Sequence, residues 1–269
     1  MSKKQPLQVE AIKDKTKLEM KQSPTDHMPR LSHRALFLAN SAGGKTTLIA
    51  NLLTKKEFYA GAFSALWIFS PSVHHDGTWG KVKKYVKEVM DMDPKDHFFD
   101  TWDGKRIQEI IDGAFAVTKY LKEHGYKKGH NVLICVDDFA DRPDVMHNNM
   151  GSGVLNSLFI RGRHAGITVW LASQRPSLLS STIRTQANVL YIWAQRSNKD
   201  LQVFLDEYSA LVPGGKKALL KLYTHATRQK YHFLMIDLMQ PTERMFYHNL
   251  DMMLQLRNPE IDDDENEVA

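Results

Sequence analysis

The sequence predicts an α/β fold in which a mainly parallel central sheet is flanked by helices. Three observations carry this. Short apolar runs recur at 34–39, 65–70, 131–136, 167–172 and 188–193, and uninterrupted runs of that length suit strands buried on both faces. Segments with helical apolar spacing stand between them, and strands alternating with helices indicate a doubly wound sheet. Finally, a glycine-containing loop at 39–46 joins the first apolar run to the first helical one, the strand, loop and helix context in which a chain wraps phosphate.

Taken in order, residues 1–30 are polar, Lys-rich and broken by Pro24 and Pro29, which predicts a basic flexible arm or a short helix packed elsewhere. The folded domain is expected over 31–258. Its first strand, 34–39, feeds the loop and a helix over 46–53. A strand at 65–70 ends at Pro71, and the Lys-rich 80–90 predicts an exposed helix. A longer helix is expected over 104–124. The run 131–136 is the most continuous apolar strand and is followed at once by Asp137 and Asp138. Strands at 167–172 and 188–193 and a helix at 198–209 follow, and 219–224 with 231–237 predict a closing hairpin with a basic turn. Residues 259–269 carry six acidic groups and no basic one, the composition of a disordered tail.

Charge is distributed unevenly. Seven basic against four acidic residues give 1–30 a charge of +3, the tail carries −6, and the whole chain is +5, so the body between is strongly basic. Such a body suits a polyanion such as DNA, bound through phosphate neutralisation, or is a solvated surface. One cysteine in 269 residues excludes an internal disulfide and a clustered cysteine metal site. The histidines show no ligand spacing with acids or cysteine. Neither an apolar leader nor a stretch of about 18 apolar residues is present, which predicts an intracellular chain with no membrane span.

The loop carries the chemistry. Backbone N–H groups, small residues, a lysine and a hydroxyl are what a triphosphate and its Mg²⁺ require, and Ala39, Asn40, Ser41, Ala42, Gly43, Gly44, Lys45, Thr46 and Thr47 supply them. This predicts an ATP site. Lys45 is placed to reach the β- and γ-phosphates and Thr46 to ligate Mg²⁺. Ala39 stands where the pattern has its first glycine, and alanine uses positive φ less freely. At the end of the buried strand Asp137 is expected to hold the Mg²⁺ shell, while Asp138 either orients the attacking water or caps the loop. Gln174, just past the strand 167–172, emerges at the same edge, either to sense the γ-phosphate or as an ordinary loop hydrogen bond. Arg161 and Arg163 precede that strand and lie at the far edge, where they serve a neighbouring subunit's nucleotide, bind DNA or sit on the surface.

The order of these signals, 39–46, then 132–138, then the segment 158–164 containing Gly162-Arg163-His164, then 171–174 ending in Gln174, resembles the FtsK/HerA superfamily of ASCE/RecA-like P-loop NTPases. Its viral branch, the genome-packaging ATPases of poxviruses, other large DNA viruses and virophages, is the most similar in pattern. The resemblance covers roughly 31–240. It implies ATP-driven translocation of double-stranded DNA into a preformed capsid by a homo-oligomeric ring meeting a capsid protein or portal vertex, in host cytoplasm or a viral factory, free or with the virion. It also implies catalytic work for Lys45, Asp137, Asp138, Gln174 and Arg163. Two other functions fit parts of the sequence: a small P-loop kinase, against which stands the absence of an arginine-rich lid, and a nucleotide-binding assembly protein, against which stand Lys45, Thr46, Asp137 and Asp138.

Overall fold

A computed structural model describes residues 16–139 and 153–255; the expected acidic tail and the first fifteen residues of the arm lie outside them. The first apolar run becomes β1 (Arg34–Leu38), all five residues buried, followed by α1 (Lys45–Thr54) and β2 (Ala65–Phe69). Next come α2 (Gly77–Glu88), the two-residue β3 (Phe98–Phe99), α3 (Gly104–Glu123) and β4 (Val132–Asp137). In the second described stretch stand α4 (Val154–Arg161), β5 (Ile167–Ser173), α5 (Ser181–Gln186), β6 (Val189–Trp193) and α6 (Asn198–Tyr208). The chain closes with α7 (Gly215–Ala226), β7 (Phe233–Asp237), β8 (Phe246–His248) and β9 (Met252–Met253).

The strands form one sheet in the order β3-β2-β4-β5-β1-β6-β7-β8-β9. Neighbours from β3 to β6 are parallel, and β7, β8 and β9 are antiparallel additions. Alternate residues of β1 enter two separate hydrophobic clusters: Ala35 and Phe37 pack with α1 and α2, Leu36 and Leu38 with α3 and α4. That alternation is the pleat of a strand covered on both faces, and it confirms the mainly parallel α/β sheet flanked by helices. Cys135, the chain's only cysteine, is buried in β4.

Two expectations are corrected. Residues 219–224 belong to α7, with Leu219, Tyr223 and Ala226 buried at helical spacing; β7 pairs with β6 and β8 instead. The Lys-rich helix α2 is not simply exposed, since it starts earlier, is capped by Asp76 accepting from the Thr78 N–H, and buries Trp79, Val82 and Val86. The lysines occupy its other face, an amphipathic arrangement. The described part of the arm, 16–30, is packed: Leu18 and Met28 are buried, Tyr59 donates to the Pro29 carbonyl at 2.6 Å and Asn131 to that of Lys21 at 2.7 Å.

Candidate functional site

Parallel strands place their C-terminal ends at one edge, and ligands bind there in open α/β sheets. At that edge β1 runs into the loop 39–44, whose entry is fixed by the Ala39 N–H donating to Ser173 at the end of β5 (3.2 Å). The left-handed backbone falls at Ala42 and Gly44, not at Ala39, so alanine at the first position meets no conformational obstacle. Gly43 is needed for a different reason. A Cβ there would stand 2.8 Å from Ala39 Cβ and 2.9 Å from the Asn40 carbonyl oxygen, so the loop closes only because one partner of this pair has no side chain.

No side chain caps α1, whose N-cap is the left-handed Gly44 and whose first turn holds no acid. Its first N–H groups and the positive end of the helix dipole therefore face the loop, the arrangement that binds phosphate. Lys45 is buried and donates to the Ala39 and Asn40 carbonyls at 2.8 and 3.3 Å. Burial lowers its pKa, while Asp138 and Asp137 pull it back up.

β4 lies two strands from β1, with β5 between them, and delivers the acids. Asp137 ends β4, 2% exposed. Its Oδ2 accepts from Ser70 at 3.3 Å and from Thr46 at 3.5 Å, whereas Oδ1 is buried without a hydrogen-bond partner among the described residues. An orphaned carboxylate oxygen costs free energy unless something cationic meets it. The donor set, a hydroxyl and a carboxylate with a free oxygen, fits a hard divalent cation such as Mg²⁺. Burial, with the Asp138 charge adding to it, raises the Asp137 pKa to about 6, against the pull of Lys45. Asp138 follows in left-handed backbone, φ 58°. The Gln174 amide nitrogen lies 2.8 Å from one Asp138 carboxylate oxygen and 2.7 Å from the other, so Gln174 holds that carboxylate in place. Ser70, from the end of β2, is a contributor the sequence reading missed: only the strand order brings it to Asp137.

Lys45, Thr46, Asp137 and Asp138 line one cavity of about 640 Å³ that runs across residues 41–48 to Trp193, Tyr231 and Phe233, while Ser70 and Gln174 support its two acids. The arginines are elsewhere. Arg163 is exposed in the turn Gly162–Ala165, before β5, hence at the edge away from the loop. Arg161 donates to Ser157 at 2.8 Å. Arg184 is committed to Glu207 at 2.6 Å and to the Leu179 carbonyl. Among the described residues no group of three His, Cys, Asp or Glu is placed to hold a metal, and no helix is long and apolar enough to cross a membrane.

A glycine loop between a buried parallel strand and a helix, faced by an acidic strand end across one intervening strand, defines a P-loop NTPase fold of the ASCE/RecA-like kind. No protein-family model and no curated protein matches the sequence. Solved structures do. The chain is similar to the genome-packaging NTPase B204 of Sulfolobus turreted icosahedral virus 2 in complex with AMP, with TM-score 0.52 and 15% identity over 78% of this chain and 94% of that one. It is likewise similar to B204, the DNA-packaging ATPase of Sulfolobus turreted icosahedral virus, with TM-score 0.52 and 16% identity over 80% and 95%. At such identities the shared property is the fold.

Proposed function

We propose that this chain is an ATP-driven translocase that packages double-stranded viral DNA into a preformed capsid as a ring of identical subunits, in the cytoplasm or viral factory of an infected cell. One observation carries the reading: Lys45, Thr46, Asp137, Asp138 and Gln174 converge at one sheet edge, on a fold similar to that of B204, a genome-packaging NTPase. The backbone of 40–44 and Lys45 bind and orient the triphosphate, and Thr46 and Asp137 would hold Mg²⁺. When bound, that ion supplies positive charge at the phosphate oxygens. Asp138 aligns a water against the γ-phosphorus and accepts its proton as the bond to ADP breaks, while Gln174 fixes the carboxylate that does so. Arg163 serves the nucleotide of the adjacent subunit.

The test is ATP hydrolysis with and without double-stranded DNA. DNA is expected to stimulate turnover severalfold, and DNA affinity to fall linearly with salt on logarithmic axes. Phosphoryl transfer to a small acceptor would make the protein a kinase; ATP bound but never hydrolysed would make it an assembly factor.

A further inference from the structure

The cavity has two chemically distinct ends. One is fixed by Asp137 and its Thr46 and Ser70 partners, and Ser72, Asp76 and Thr78 extend that polar side. At the other end, beyond the loop, stand Trp193 and Phe233, paired across the antiparallel β6 and β7, and Tyr231 from the turn before β7. A triphosphate whose terminal phosphate lies at the acids must send its nucleoside toward the aromatic end.

Tyr231 is singular within that group. Its backbone is left-handed, φ 68°, a conformation that a bulky residue adopts only where its surroundings impose it. The residue is nonetheless 56% exposed, so the ring contributes little to the core. The geometry is held from behind, because Trp193 Nε1 donates to the Tyr231 carbonyl at 3.0 Å. The ring stands beside the phosphate loop: a Cβ built on Gly44 would lie 3.6 Å from Tyr231 Cδ1. The Lys230 ammonium lies 4.8 Å from the ring centroid, a cation–π contact on this exposed ring.

We propose that Tyr231 is the platform on which the purine base of a bound nucleoside triphosphate stacks, with Lys230 swinging aside or covering the base. This rests on the nucleotide-binding reading above. Stacking uses the π-face of a base and is worth roughly tenfold or more in affinity per base.

The experiment compares two probes that share phosphates but not a base, Mg-ATP and inorganic triphosphate, by calorimetric titration of the full chain. Tyr231→Phe keeps the ring and should bind ATP within about twofold of wild type. Tyr231→Ala and Tyr231→Gly should bind ATP about tenfold more weakly and inorganic triphosphate unchanged. Tyr231→Gly also relieves the left-handed backbone, so it should unfold at a higher denaturant concentration than wild type, which separates loss of binding from loss of folding. Unchanged ATP affinity in Tyr231→Ala, or an equal loss for both probes, overturns the platform while leaving the phosphate loop intact. A wild-type protein that binds neither probe overturns the nucleotide reading and the platform together.

Discussion

At the scale of single residues, the site places function against stability. Asp137 is buried beside a second carboxylate, and its pKa of about 6 lies well above the ordinary carboxylate value of about 4. Because the folded-state pKa is raised, the penalty for carrying the ionised form is absent below pH 4, grows as the pH climbs from 4 to 6, and persists above. Asp137→Asn should therefore stabilise the nucleotide-free protein at pH 7.5 by up to about 3 kcal/mol and at pH 4 by nothing, read from urea midpoints, while Mg²⁺-dependent hydrolysis is lost. Gly43→Ala should leave the fold standing but abolish tight Mg-ATP binding, because the added Cβ meets Ala39 and Asn40 inside the loop; calorimetric binding at wild-type strength would refute the packing account. These two residues were legible from the sequence, as were Lys45, Thr46, Asp138 and Gln174, because a loop motif and strand ends are local patterns. Ser70 and Tyr231 were not: one follows β2 and the other precedes β7, and nothing in their own neighbours announces the meeting.

At the scale of elements, continuous apolar runs located β1, β2, β4, β5 and β6 within a residue at either end, since a strand buried on both faces is predominantly apolar along its whole length. The two- and three-residue strands β3, β8 and β9 escaped, being too short for any period to register. The misreading of 219–224 has the same root: Leu219, Leu220, Leu222 and Tyr223 make an apolar run, and only the buried positions 219, 223 and 226 reveal the helix. Lysine content hid the inner face of α2. Trp79 is fully buried there, next to Thr78 and about one turn from Asp76, both of which line the cavity. Trp79→Ala should cost about 3–5 kcal/mol in urea unfolding with little change in slope, and Trp79→Phe much less; an Ala variant as stable as wild type would mean that α2 is not anchored through this side chain.

At the scale of the whole molecule, Arg163 and Gln174 sit at opposite ends of β5, whose seven residues separate them by about 20 Å. Arg163 therefore cannot reach the nucleotide of its own chain, and in the proposed ring it would meet a neighbour's. Arg184 is not a substitute, being bound to Glu207. Arg163→Ala should bind ATP nearly normally and hydrolyse it a hundredfold or more slowly, given the typical weight of such arginines. Lys45→Ala should be inactive through lost ATP binding. Mixing the two inactive proteins should restore measurable turnover, because some interfaces then pair an intact loop with an intact arginine; exchange of subunits without any recovery would count against action between subunits.

The buried thiol in β4 has a practical consequence. Burial pushes the Cys135 pKa well above its ordinary value, and a protonated, inaccessible sulfur does not react with maleimides. The native chain is thus chemically silent toward thiol dyes. A cysteine installed at an exposed position such as Val89, 66% exposed at the end of α2, becomes the sole point of attachment, and donor- and acceptor-tagged copies can report subunit proximity by energy transfer without removing any native residue.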